Sequence, residues 1–105
     1  GLTVGILPSL DGKDANNYLD VVITTGLGYA RNSIVVSSAD SVIAVNGSTG
    51  TLSEIAMALS FGKKVVVIKE SGGISAEINE CLKGDGKIKD IITASKDDAV
   101  KKAIQ

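Results

Sequence analysis

Val42-Ile43-Ala44-Val45-Asn46-Gly47-Ser48-Thr49-Gly50-Thr51-Leu52-Ser53-Glu54-Ile55-Ala56-Met57-Ala58-Leu59 reads as a buried strand, a small polar turn and an amphipathic helix in direct succession. Consecutive apolar residues from Val42 to Val45 suit a strand covered on both faces, as in a parallel sheet. From Thr51 to Phe61 the period changes. Leu52, Ile55, Ala56 and Leu59 recur at i, i+3, i+4 and i+7 and make one apolar stripe. Gly62 stands where a helix-ending glycine belongs, and Lys63 and Lys64 suit the negative end of the helix dipole.

Outward from this unit the pattern repeats. Apolar runs at Thr3–Leu7, Asp20–Thr24, Lys64–Ile68 and Asp90–Thr93 join Ser41–Val45 as predicted strands, with Ser41–Val45 placed centrally. In Leu27–Ser37, Leu27, Ala30 and Ile34 keep helical spacing, while Ile34-Val35-Val36 would also suit a strand. A parallel crossover needs a covering element there, so a helix is expected. Ile78, Cys81 and Leu82 fall in a further helix, where Cys81 reads as a small core residue. Ser95 and Asp98 form an N-terminal capping signal for a last helix, with Ala99, Val100, Ala103 and Ile104 on one face. Loops rich in Gly, Asn, Asp and Ser occupy Ser9–Asn17 and Lys69–Gly73. Strands alternating with helices predict an α/β fold, a Rossmann-like three-layer domain with a parallel sheet. Residues 1–105 are expected to form a single nucleotide-binding-type domain. An apolar run entered directly from Gly1 suggests truncation at the N-terminus.

Composition removes several function classes. With 11 basic and 12 acidic residues the net charge is −1, so no global field points to nucleic acid. Histidine is absent, and with it the commonest general base and metal ligand. One cysteine permits neither an internal disulfide nor a thiolate zinc site. No apolar run reaches the roughly 18 residues of a membrane span, and a reduced cytoplasmic setting is the expectation.

Chemistry concentrates at Asn46-Gly47-Ser48-Thr49-Gly50-Thr51. Ligands of open α/β sheets collect at the C-terminal ends of strands. Glycines there allow close backbone approach, and the amides and dipole of the following helix favour an anion. Ser48, Thr49 and Thr51 add hydroxyl donors. The plainer reading is a capping box, Thr51 to Glu54, which explains those two residues without a ligand but not the glycines and hydroxyls before them. The turn is not a Walker loop, since no lysine follows Gly50. Gly26-Leu27-Gly28-Tyr29-Ala30-Arg31 opens like a dinucleotide fingerprint but has arginine at the third glycine. Arg31 is the only arginine, and two readings stand for it: a solvated surface residue, or a guanidinium for bidentate phosphate recognition.

From Thr25-Gly26-Leu27-Gly28 through Arg31-Asn32 to Gly47-Ser48-Thr49-Gly50-Thr51-Leu52-Ser53-Glu54, the chain resembles the Lonely Guy (LOG) superfamily. Its molybdenum-cofactor carrier-like branch, some members of which bear a lysine-decarboxylase label, is the most similar. The family signature is Pro-Gly-Gly-x-Gly-Thr-x-x-Glu. Gly47, Gly50, Thr51 and Glu54 match it, while Asn46 and Ser48 replace the proline and the second glycine. The resemblance implies ligand contacts from Gly26, Arg31, Asn46, Gly47, Ser48, Thr49, Gly50, Thr51 and Glu54. In cytokinin-activating members, the residues corresponding to Arg31 and Glu54 cleave the base from a nucleoside 5′-monophosphate. Asn32 stands where many of those hydrolases carry lysine, which favours binding over turnover. The implied ligand is a small phosphorylated molecule, either the molybdenum cofactor or a nucleoside monophosphate. The implied assembly is a homodimer or larger. The family also carries an N-terminal strand–helix unit that the resemblance does not find here.

Overall fold

The computed structural model describes residues 1–105 and confirms an α/β fold of parallel strands and helices. The chain separates into two compact units, Gly1–Val35 and Val36–Gln105.

In the first unit, β1 (Val4–Leu7) pairs in parallel with β2 (Val21–Thr24), with Val4 opposite Val21 and Leu7 opposite Thr24. Thr3 fastens the start of this pair: its N–H and its hydroxyl both donate to the Asp20 carboxylate, at 2.8 and 3.0 Å. Those bonds favour the ionised form and hold the exposed Asp20 carboxyl below its ordinary pKa. Their contribution is present above the usual carboxylate range and is lost as the pH falls through the lowered value. The expectation of strands covered on both faces fails for β2, whose four residues are all exposed. A unit of this size is too small to wrap a strand on both sides.

The second unit is a three-layer sandwich. Strands β3 (Ser41–Val45), β4 (Lys64–Ile68) and β5 (Ile91–Ala94) form a parallel sheet in the order β3-β4-β5. Within this unit the middle strand is β4, flanked by Ser41–Val45 on one side and Ile91–Ala94 on the other. Val65 to Ile68 is buried on both faces, whereas the equally apolar run Val42–Val45 buries only Ala44 fully. Alternation along β4 sorts the core into two halves. Val65 and Val67 join Val36, Ala44, Ile55, Ala58, Leu59 and Ile78 on one side. Val66 and Ile68 face Ala94, Ala99 and Ala103 on the other.

Four helices complete the chain: α1 (Arg31–Ser38), α2 (Thr49–Ser60), α3 (Gly73–Cys81) and α4 (Ala99–Ile104). A short 3-10 turn, Gly28–Ala30, leads into α1. Helix α2 buries Ile55, Ala58 and Leu59 and leaves Ala56 exposed. Its end is a Schellman closure. Gly62, at φ 72°, donates its N–H to the Leu59 carbonyl at 3.1 Å, and Lys63 N–H reaches the Ala58 carbonyl at 2.8 Å.

Two face assignments are corrected. Cys81 is exposed, because Ile78 and Leu82, four residues apart, take the core-facing side of α3's last turn. On α4 only Ala99 and Ala103 are buried, while Val100 and Ile104 point outward. The capping residue of that helix is Asp98 rather than Ser95, whose hydroxyl donates to the Asp98 carboxylate at 3.3 Å. No helix is long and apolar enough to cross a membrane.

Candidate functional site

Neighbouring parallel strands β3 and β4 each run into a helix through a glycine-bearing turn, at the sheet edge where α/β proteins place their sites. After Val45 the chain turns through Asn46 at φ 53° and Gly47 at φ 93°. Asn46 is the one non-glycine residue in the left-handed region, which asparagine tolerates better than most. This early turn starts α2 at Thr49, with Ser48 as its capping residue. Thr51 is therefore inside the helix, and the expected Thr51–Glu54 capping box is corrected.

Asn46 is bonded through every polar group it has. Its N–H donates to Ser71 Oγ and its Nδ2 to the Ser71 carbonyl, both at 2.7 Å. Its Oδ1 accepts the Gly47 N–H at 2.6 Å. Its carbonyl accepts from Ser75 N–H at 3.1 Å and from the Ser75 hydroxyl at 2.9 Å. Ser71 Oγ in turn donates to the Ile68 carbonyl, and the Gly47 carbonyl accepts from Ile74 N–H at 2.9 Å. The two turns are thus locked together. Gly73 makes the approach feasible: a Cβ there would lie 2.4 Å from Asn46 Oδ1 and 2.6 Å from the Gly47 carbonyl oxygen.

The lock gives the two helix starts different electrostatics. At α3, the amides of Ile74 and Ser75 are committed to the carbonyls of Gly47 and Asn46. At α2, the first internal bond is Leu52 N–H to the Ser48 carbonyl, at 2.9 Å. The amides of Ser48, Thr49, Gly50 and Thr51 precede it and have no carbonyl a turn behind them to bond. Ser48 provides no side-chain cap. Nothing lies within 4 Å of the place a Gly50 Cβ would occupy, so the space beside Gly50 is open. The expected run of anion-binding amides narrows to Ser48–Thr51, since Gly47's N–H is already bonded. Thr51's side chain packs where Gly47 lacks one: a Gly47 Cβ would come within 2.3 Å of its Oγ1. Glu54 lies about one and a half turns into α2 and is half-buried. One strand further on, Glu70 accepts the Lys96 N–H at 2.6 Å and ties the β5–α4 loop to the turn after β4.

Gly26 and Arg31 belong to the first unit. Gly26, at φ 67°, follows β2 and donates its N–H to the Ser9 carbonyl at 3.0 Å. A Cβ there would meet only the end of the exposed Leu10 side chain, so it is the left-handed backbone that calls for glycine at this position. Arg31 opens α1, and its Nε is buried with no hydrogen-bond partner. Asn32 beside it is 4 % exposed. Sequence reasoning did not single out Ser71, Gly73 or Ser75. The signal was the glycine pair Gly72-Gly73 between a strand, a short 3-10 turn at Lys69–Ser71 and an amphipathic helix.

Comparison with known proteins agrees with this architecture. Residues 1–101 match the sequence profile of the SLOG cluster4 family, in keeping with the LOG-like resemblance of the signature turn. The structure of the molybdenum cofactor binding protein from the phototrophic bacterium Rippkaea orientalis superposes with a TM-score of 0.81 at 38% identity. It covers 99% of this chain and 61% of that one. The X-ray structure of TM1055, a structural genomics target, gives a TM-score of 0.84 at 30% identity, covering 99% and 64%. An uncharacterized protein of Archaeoglobus fulgidus is 50% identical over 70 residues, 66% of this chain and 45% of that protein. The chain therefore spans less than two thirds of the length of each of these relatives.

Proposed function

The chain belongs to the SLOG cluster4 family, and from that membership we propose that it binds a small phosphate-bearing ligand of nucleotide or molybdenum-cofactor type. The observation that carries the reading is the α2 start, where the amides of Ser48 to Thr51 precede the first internal bond and the space beside Gly50 is open, while the neighbouring α3 start is closed by backbone carbonyls. Such amides, with about half a positive charge from the helix dipole, suit a phosphate. Exposed Ser48 and Thr49 add hydroxyl donors. The molybdenum cofactor binding protein of Rippkaea orientalis supports the molybdenum-cofactor version of this ligand. A bound cofactor would bring its own metal chemistry, and the chain's part would be to hold the phosphate. A cytoplasmic homodimer or larger assembly completes the proposal.

A second reading is phosphoribohydrolase activity through Glu54 and Arg31. The buried, unpartnered Nε of Arg31 favours keeping it in view, because a guanidinium nitrogen left without a partner suits a ligand oxygen. Incubation with adenosine monophosphate, followed by chromatography for free adenine, separates the two. Binding without turnover predicts no adenine above a Glu54→Gln control. Adenine release that disappears in that variant establishes the hydrolase. Under either reading Arg31→Ala should weaken adenosine monophosphate binding by roughly 10- to 150-fold, the effect of losing a hydrogen bond to a charged group. Calorimetry measures it, and unchanged affinity would place Arg31 outside the ligand site.

A further inference from the structure

We infer that Asn46 is a positioning residue for the anion site, acting with Ser71 and touching no ligand itself. This rests on the reading of the α2 start as that site. An asparagine directly before a phosphate turn invites the opposite assignment, in which its amide contacts the ligand. The geometry points away from it, because the side chain is clamped between the two turns: Oδ1 takes the Gly47 N–H and Nδ2 gives one of its two hydrogens to the Ser71 carbonyl. The backbone N–H and carbonyl are committed to Ser71 and Ser75.

The consequence reaches α2 through one peptide. Holding the Gly47 N–H on Asn46 Oδ1 fixes the direction in which the chain leaves β3, two residues before the first turn of the helix. Ser71 anchors the other end of that side chain, and its own hydroxyl is anchored on the Ile68 carbonyl at the end of β4. The amides of Ser48 to Thr51 are thereby aimed by the strand that forms the centre of the sheet. Such preorganisation lowers the ordering cost of binding without a direct contact.

The test is a double-mutant cycle in the full chain. Asn46→Gly keeps the left-handed turn accessible and deletes the side chain. Ser71→Ala removes the hydroxyl that accepts the Asn46 N–H. Each should weaken adenosine monophosphate binding by about tenfold, and the double variant should bind no more weakly than the worse single one. Ser71→Ala should also speed hydrogen exchange of the Gly47 amide in the ligand-free protein, a readout that a direct ligand contact would not move. Effects that multiply in the double variant, with Gly47 exchange unchanged, would make Asn46 a contact residue and overturn the inference. If the wild-type protein does not bind adenosine monophosphate or inorganic phosphate, the reading of the site falls and takes this role with it. Protected Gly47 exchange in that same sample would identify the site, rather than the lock, as the error.

Discussion

Gly73→Ala is expected to destabilise the protein by about 2–5 kcal/mol, combining left-handed backbone strain with a forced contact. Gly73 sits at φ 56°. The new methyl would stand 2.4 Å from Asn46 Oδ1, 2.6 Å from the Gly47 carbonyl oxygen and 2.9 Å from the Asn46 carbonyl carbon. Two of those three atoms are backbone, so no rotamer change relieves the clash. The turns must separate, and the bonds between Asn46, Ser71, Ile74 and Ser75 must stretch with them. Gly84→Ala is the matched control, since Gly84 has φ 93° but nothing within 4 Å of its would-be Cβ. It should cost only backbone strain, about 1 kcal/mol. Urea titration of both variants, with the slope of the transition checked for constancy, gives the comparison. Equal losses would mean that the two turns are not held in close contact.

The same contrast shows what the sequence could and could not tell. Valine and isoleucine runs located all five strands to within a residue at either end, because parallel strands are apolar on consecutive positions. The α2 stripe was equally legible, since Ile55 and Leu59 follow the helical period. Strand order was not, because Val42–Val45 and Val65–Ile68 are both unbroken apolar runs of four and nothing local ranks one above the other. The start of α2 was missed by two residues because Asn46 and Gly47 turn the chain early, and a positive φ at asparagine leaves no periodic trace. The Asn46–Ser71 and Asn46–Ser75 bonds join residues more than twenty positions apart, so no local pattern could disclose them. For that reason the glycine-bearing signature was read as a single turn, when the structure makes it one half of a pair.

The second large effect is on binding alone. Gly50→Val should reduce affinity for adenosine monophosphate by about 100-fold or more while leaving stability within about 0.5 kcal/mol of wild type. Gly50 is the second residue of α2, and its φ does not require glycine. A Cβ at this position would meet no atom of another part of the chain within 4 Å, so the space beside Gly50 has room for a side chain. Helix propensity, if anything, improves by a few tenths of a kcal/mol on replacing glycine. The isopropyl group would instead occupy the space in front of the Ser48–Thr51 amides. Displacing a phosphate from two charge-assisted hydrogen bonds, each worth about 1.5–3 kcal/mol, gives the expected loss. Gly47→Val would not make this distinction. At φ 93°, with Thr51 Oγ1 within 2.3 Å of the new Cβ, it must disturb the turn as well as the ligand. Wild-type affinity in Gly50→Val would show that the open space at α2 is not where the phosphate sits.

The phosphate is expected to lie on the amides that open α2. Titrating isotopically labelled protein with adenosine monophosphate, and following backbone amides by nuclear magnetic resonance, tests it most directly. A phosphate on these donors should move the amide resonances of Ser48, Thr49, Gly50 and Thr51 furthest, downfield and with one common saturation curve. The amides of Ile74 and Ser75, already bonded to the Gly47 and Asn46 carbonyls, should move far less. Saturable binding that leaves Ser48–Thr51 in place and shifts another set of amides would contradict it.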